Sequence, residues 1–404
     1  MWAAITFGAL LASYMAFRPV RDALVLGDFD NLQWLFTGTL IAVAILSSAW
    51  TWILGRTRPR RTVPKAFHAF AVCFIVFAVL VGNNVAPLAV SRIFYIWSAC
   101  FNLFVVSVFW GLLADLLGPV IAKRLYGPIA AGGTAGALAG PALTGLLVDT
   151  IGIDGVLVMS AVLLELAVFG VTQVRRYGEK LEREDGVPVD NPTPGGAMRG
   201  FIQVAKNPYL LGIVLYVLCT ATAATFMYLE QAGIVHAQMP DRVQATELFA
   251  RIDFWTQAGT FVVQTLLATP LLAWLGPGVV LAFLPLAQGI GISALAAVPS
   301  IKTLVPVQII TRTLTHGLTR PARELLFTVV SRDDKYQAKH AIDTFGYRLG
   351  DFSSSWVYKG LKGIGAGGVA LAAAMLPIAA VWMGLALFLG VGYRRRLHDN
   401  KEST

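Results

Sequence analysis

The chain alternates between long apolar blocks and short polar segments. Most blocks hold about 17 to 30 residues, roughly the length that an α-helix needs to cross a ~30 Å hydrocarbon layer. Charged residues, proline and glycine cluster between the blocks. The pattern predicts an all-α membrane protein with about twelve transmembrane helices, at residues 1–17, 33–54, 65–82, 89–117, 126–148, 155–172, 208–228, 246–274, 278–297, 303–327, 338–360 and 367–393.

Composition supports the same fold class. The 404 residues are 56% hydrophobic and 14% charged, whereas an average soluble domain is about 25% charged. The three cysteines, Cys73, Cys100 and Cys219, lie inside apolar blocks without CxxC spacing. They indicate no disulfide framework and no metal site, and we expect no cofactor.

The basic residues predict the orientation of the chain. Alternate connections are rich in lysine and arginine, as in residues 56–65, 123–124, 175–183, 332–339 and 394–396. The positive-inside rule then places both termini in the cytoplasm. It also explains the net charge of +9 without nucleic acid as a partner. We expect a multi-pass protein of a bacterial cytoplasmic (inner) membrane.

The longest polar stretch divides the chain into two halves. It predicts a cytoplasmic linker at residues 173–205, between an N-terminal six-helix bundle at 1–172 and a C-terminal six-helix bundle at 206–396, with a cytoplasmic tail at 397–404. Six helices plus six, with both ends inside, is the plan of the major facilitator superfamily (MFS), whose folds contain inverted repeats.

A short motif occurs twice. Arg18-Pro-Val-Arg-Asp22 ends the first predicted span, and Arg320-Pro-Ala-Arg-Glu324 ends the tenth. The predicted orientation places the first copy at the outer mouth and the second at the inner mouth. The match suggests an internal repeat.

Charged residues inside spans are costly, so each is a functional candidate. On the tenth predicted span Gln308, Arg312, His316 and Arg320 lie four apart, which predicts one shared helix face. This face is either a wall for an anionic substrate or part of a buried network in which Arg312 pairs with Asp343.

Arg18, Arg21 and Asp22 form a second candidate group. One Arg–Asp pair would leave the other arginine free to contact an anion or to act in an outer gate. The structural alternative is an interfacial salt bridge at a helix end.

The remaining candidates are more scattered. Glu230 at the end of the seventh span could contact substrate or carry a proton, and Asn102 is the main polar group in the middle of the fourth span. Glu247 and Arg251 lie four apart and are expected to pair. On the eleventh span, Arg348 lies three residues before Asp351.

The fifth predicted span carries small residues four apart, at Gly132, Gly136 and Gly140, followed by Pro141 and Gly145. Such spacing lets helices approach closely. The string also resembles the antiporter motif of MFS proteins. Enzyme motifs are absent: the chain has no GxxxxGK[ST] phosphate loop and no HExxH, so no catalytic residue is expected.

Several stretches resemble the ATP/ADP translocase family of plastids and intracellular bacteria, in the branch found in free-living proteobacteria: residues 18–25, 34–37, 94–111, 122–141 and 335–343. The resemblance implies an MFS-like fold and nucleotide antiport. It places Arg21 where the family has a functional lysine, and Glu230 where it has a functional glutamate. The fourth span lacks the family's acid, and Asp351 stands where the family has a base.

These observations favour a secondary active transporter that works as a monomer in the bilayer on a small anionic solute, either a nucleotide or another phosphorylated or carboxylated metabolite. An alternative is a proton-coupled exporter of an organic compound. A transport-inactive receptor or assembly subunit is an alternative of another class. Substrate contacts are assigned to Arg18, Arg21, Asn102, Glu230, Arg312, His316 and Arg320; gating or ion coupling is assigned to Asp22, Arg251, Asp343, Arg348 and Asp351.

Overall fold

The computed structural model describes residues 1–54, 59–116, 119–185, 207–330, 346–365 and 367–402. Regular secondary structure in these residues is helical. The helices are α1 (Trp2–Leu24), α2 (Leu32–Leu54), α3 (Pro59–Gly82), α4 (Pro87–Leu116), α5 (Pro119–Asp185), α6 (Pro208–Gln238), α7 (Arg242–Val262), α8 (Ala268–Ala297), α9 (Ile301–Leu314), α10 (Arg320–Leu326), α11 (Tyr347–Gly363) and α12 (Gly368–Glu402). A 3₁₀ turn (Val25–Asn31) comes after α1, and π turns (Val263–Leu267 and Thr315–Thr319) join α7 to α8 and α9 to α10.

Two glycines mark the places where long helices bend. Gly152 inside α5 has φ 72°, and Gly276 inside α8 has φ 77°. Both values lie in the left-handed region that glycine adopts without steric cost. The fifth and sixth predicted spans therefore lie on the two sides of Gly152 in α5. The eighth and ninth flank Gly276.

Several helices run past their predicted ends. α1 continues through Pro19 to Leu24, so Arg18, Arg21 and Asp22 lie inside it rather than after it. α6 continues to Gln238, α5 to Asp185 and α12 to Glu402. Residues 173–185, predicted as the start of the linker, are therefore helical, and so is the tail as far as residue 402. The sequence patterns missed these extensions because a polar end does not stop a helix.

Seven helical stretches in the described residues are long and apolar enough to cross a membrane: Trp2–Ala49, Thr62–Gly82, Pro87–Leu113, Leu125–Val174, Pro208–Gln238, Arg242–Ala297 and Gly368–Asp399. The chain is thus a multi-pass helical membrane protein. α11 has 17 residues and is not among the seven; neither is the segment of α9 and α10. A total of about twelve spans, with both termini inside, stays a prediction.

Contacts divide the chain into two compact units. The first contains Met1–Pro192 and Met239–Gln257, and the second contains Thr193–Gln238 and Ala258–Thr404. The start of α7 therefore belongs with the N-terminal residues, although the sequence pattern assigned it to the second bundle. Residues 186–205 of the predicted linker lie outside the described part of the chain.

The core of the first unit is aromatic. Phe17 of α1 lies 4.9 Å from Phe74 of α3 and 5.3 Å from Phe101 of α4, measured between ring centroids. Trp97 packs on the same rings, at 4.9 Å from Phe74. Close ring packing matters here because lipid removes the hydrophobic drive between helices and leaves dispersion to hold them.

α5 packs against α1 through its glycines. A Cβ at Gly132 would collide with the carbonyl of Ala4, and one at Gly136 with the carbonyl of Gly8. A Cβ at Gly140 would lie 2.6 Å from the Ala12 carbonyl oxygen. Only glycine fits these three positions.

The two remaining motif residues have different surroundings. Pro141 is buried within α5. A Cβ at Gly145 would meet only the Cβ of Ala250, at an ordinary 3.7 Å. Gly145 therefore takes no part in the close contact with α1, although Thr144 Oγ1 beside it donates to the Ala16 carbonyl at 2.7 Å.

Candidate functional site

Both arginines of the first motif have carboxylate partners. Arg18 Nη1 lies 3.6 Å from Asp253 Oδ1 of α7. Arg21 bonds Asp22 Oδ1 through Nε at 2.8 Å and Nη2 at 2.6 Å. The expected pair within the motif is therefore confirmed. The expectation that the other arginine would be free is wrong, because an acid far along the chain reaches it.

In these pairs the arginine side chains are more exposed than the carboxylates. The side chains of Arg18 and Arg21 are 21% and 14% exposed, whereas those of Asp253 and Asp22 are 3% and 7% exposed. The guanidinium of Arg21 also lies over the ring of Tyr95 of α4, with Cζ 5.3 Å from the centroid. A cation over a ring face is stabilised by the ring quadrupole and is held in one orientation.

A polar strip joins α6 and α11 in the second unit; it consists of Thr222, Thr225, Glu230, Asp351, Ser354 and Tyr358. Tyr358 Oη donates to Glu230 Oε1 at 2.8 Å. Thr225 Oγ1 donates to Asp351 Oδ1 at 3.0 Å, and Ser354 Oγ donates to Thr222 Oγ1 at 2.9 Å.

Two residues of the strip, Asp351 and Glu230, were candidates from the sequence, and the structure gives their surroundings. Arg348 Nη1 lies 3.5 Å from Asp351 Oδ2, at the expected spacing of three residues. Glu230 lies inside α6 rather than at the end of its span. Sequence reasoning missed Tyr358 and the threonines, because their hydrogen bonds depend on the register between α6 and α11, which are far apart in the chain.

The predicted stripe on the tenth span does not stay on one face. Gln308 is buried and donates to the Met227 carbonyl at 3.1 Å, while Arg312 and His316 are half-buried. The π turn Thr315–Thr319 then inserts about one extra residue, which rotates the residues of α10 by about 100° relative to α9. Arg320 is therefore exposed and departs from the stripe. Asp343, the proposed partner of Arg312, lies outside the described residues.

Two other candidates lie apart from these groups. Arg251 Nη2 pairs with Glu247 Oε1 at 2.8 Å, which confirms the pairing expected from their spacing. This arginine is 59% exposed, so the pair lies on the surface of its unit. Asn102 is half-buried in α4.

Two contacts made by acidic side chains were not found from the sequence. Asp28, in the turn after α1, accepts two hydrogen bonds from Arg92 of α4, at 2.6 and 2.8 Å. His68 Nδ1 of α3 lies 2.8 Å from Glu165 Oε1 of α5. Glu165 carried a usable signal, since it is a charged residue within a predicted span.

Comparison with known proteins identifies the fold. No protein-family model and no curated protein sequence matches the chain. Solved structures do match it. The crystal structure of the nucleoside transporter NupG superposes with a TM-score of 0.65 at 10% identity, over 98% of both chains. A single-site variant of NupG gives a TM-score of 0.67 at 10% identity, again over 98% of both chains.

The chain therefore has the same fold as these solved transporter structures. A bacterial homolog of the human lysosomal transporter Spinster, in an inward-facing, unoccupied conformation, also matches, with a TM-score of 0.54 at 16% identity over 98% of this chain and 97% of that one. These neighbours are transporters and not enzymes. At such low identity the likeness establishes the fold and leaves the substrate to be argued from the residues.

Proposed function

We propose that the protein is a secondary active transporter that carries a small anionic solute by alternating access. The observation that supports an anion is the uneven exposure of the Arg18 and Arg21 pairs, in which the arginine side chains are 21% and 14% exposed and the aspartate side chains are 3% and 7% exposed. An arginine in a membrane helix is costly unless it faces water or a partner. Its retention in α1 favours a wet, functional site.

The chemistry of arginine narrows the solute class. Its planar fork binds phosphate or carboxylate through two parallel hydrogen bonds. Phosphorylated or carboxylated metabolites are therefore the proposed substrates. Nucleotide exchange is the specific form suggested by the resemblance to ATP/ADP translocases.

The proton-coupled exporter has weaker support. The sequence evidence for an exporter was the antiporter-like glycine motif of the fifth span. Close packing of α5 on α1 is a sufficient reason for glycine at positions 132, 136 and 140. An inactive receptor would keep the ion pairs but move no solute, so it is distinguished by measuring transport.

The test combines binding and transport. The purified protein is heated with ADP, ATP, inorganic phosphate or malate, and with uncharged adenosine as a control. A ligand that binds the folded state at 100 times its Kd stabilises it by about 2.7 kcal/mol. We expect a rise in Tm with at least one anion, and counterflow uptake of the same anion in proteoliposomes.

Arginine variants make the test specific. Arg18→Gln and Arg21→Gln should each abolish the rise, whereas Arg92→Gln should keep it. Arg92 is a matched control, because it is also an arginine of the first unit bonded to an aspartate, here Asp28. A rise without uptake would indicate a receptor. A rise with adenosine alone would rule out an anion site.

A further inference from the structure

The two copies of the repeated motif form the same local arrangement, one in each unit. In the first unit, Arg21 bonds the next residue, Asp22, and lies over the ring of Tyr95. In the second unit, Arg323 Nη2 lies 3.7 Å from Glu324 Oε1 of the next residue. Its Cζ lies 5.7 Å from the centroid of the Tyr347 ring.

The tyrosines make the agreement more than a sequence match. Neither belongs to the motif: Tyr95 comes from α4, and Tyr347 begins α11. Two separate helices thus supply the same ring to the second arginine of each copy. Arg323 Nη1 also donates to Tyr347 Oη at 3.0 Å, which fixes the plane of the guanidinium.

The second pair is the looser of the two. The Arg323–Glu324 distance exceeds the 2.7–2.9 Å of a tight charge-assisted bond. Glu324 is 43% exposed, while the side chain of Arg323 is 9% exposed. Because the Glu324 side chain is exposed, the anionic group of a solute can reach this place from water and replace it at Arg323. The arginine keeps its orientation because the tyrosine holds it.

We propose that Arg323, Glu324 and Tyr347 form a second anion-binding station that is equivalent to the station of Arg21, Asp22 and Tyr95. The inference rests on the proposed transport of an anion. On the predicted topology the first station lies at the outer mouth and the second at the inner mouth. The same phosphate or carboxylate of the solute then exchanges with the acid of each station in turn, on entry and on release.

Sided transport assays test this assignment. Proteoliposomes of uniform orientation are prepared in both orientations. Uptake of labelled ADP, and of labelled malate in parallel, then measures the KM at the outer face in one preparation and at the inner face in the other. Arg21→Lys and Arg323→Lys keep the charge but lose the planar fork. We expect Arg21→Lys to raise the KM at the outer face about tenfold and to change the KM at the inner face less than twofold. Arg323→Lys should do the reverse.

Arg396→Lys is the matched control. Arg396 also lies in the second unit over a tyrosine ring, that of Tyr209 at 4.7 Å, but it is not in the motif. Arg396→Lys should leave the KM at each face within twofold of the wild-type value. Should Arg323→Lys fail to fold, Tyr347→Phe removes the hydroxyl that accepts from Arg323 and should raise the inner KM alone.

The outcomes separate the two proposals. If the wild type carries ADP or malate but the Arg323 and Tyr347 variants change both faces equally, change neither, or match Arg396→Lys, the second station is refuted while the transporter stands. If the wild type carries no anion at all, the transport proposal fails and the station fails with it.

Discussion

At the scale of single residues, the charged side chains in this membrane fold are organised by partners. Local spacing revealed a pair within one helix, Glu247 with Arg251. It did not reveal Arg18 with Asp253, whose residues come from α1 and α7. The remote pair matters more for stability, because the carboxylate of Asp253 is 3% exposed and breaking it leaves a charge in a poorly hydrated place.

Asp253→Asn should lower the free energy of unfolding by about 1–3 kcal/mol, since Arg18 loses its carboxylate. The loss is below that of a fully buried pair because Arg18 remains 21% exposed. Glu247→Gln is the control: its partner Arg251 is 59% exposed, so the expected loss is below about 1 kcal/mol. Denaturant unfolding in micelles measures the free energy of unfolding of both variants. Equal losses would contradict the larger role given to the Arg18–Asp253 pair.

Tyr358→Phe should lower the free energy of unfolding by about 1 kcal/mol, because Glu230 loses its hydrogen-bond donor while the ring remains. The contact between the rings of Phe226 and Tyr358, 5.4 Å apart, is kept. Tyr358→Leu should cost more, since it removes both. The same unfolding assay compares the two variants. Similar losses would mean that the ring contact adds nothing, and a Tyr358→Phe variant as stable as the wild type would mean that the hydroxyl adds nothing.

At the scale of helices, glycines determine where α5 packs closely on α1 and where it bends. Its glycines up to Gly140 let its backbone reach α1, and Gly152 then lets it bend. The glycine spacing predicted close packing but not its partner. A break was predicted here, between the fifth and sixth spans, but the positive φ of Gly152 had no signal of its own, because a glycine in the sequence looks the same whether or not its φ is positive.

Gly136→Ala should destabilise the first unit by about 1–3 kcal/mol or prevent its folding, since the new methyl would collide with the carbonyl of Gly8. Gly145→Ala is the matched control on the same helix. Its methyl has ordinary room, and alanine favours the helix over glycine by about 1 kcal/mol. Thermal unfolding in detergent should place Gly145→Ala at or above the wild type; a comparable drop in Tm for both variants would contradict the packing.

At the scale of the whole molecule, hydropathy and the charge of the connections were the main basis for predicting the fold. The transporter fold was predicted from the apolar blocks and the basic connections, and structural comparison supports it at 10–16% identity. The division into two six-helix bundles stays a prediction. The start of α7 groups with the first unit, which the order of blocks along the chain does not reveal.

Cysteine labelling tests the predicted orientation. In a parent without Cys73, Cys100 and Cys219, Asn83→Cys should react with a membrane-impermeant maleimide in intact cells. His398→Cys should react only after permeabilisation. The reason is that the positive-inside rule predicts a cytoplasmic location for the basic C-terminal side of α12. The opposite labelling pattern would invert the topology.

Short segments of the sequence were enough to predict the membrane class, the helical blocks, the pairs three or four residues apart and the second copy of the motif. These properties depend on local hydropathy and on the helical repeat. Tertiary packing was needed to show which acid reaches Arg18, which tyrosines cover Arg21 and Arg323, and where a π turn moves Arg320 off its stripe. Such contacts depend on the register and approach of helices far apart in the chain, and no local pattern encodes them.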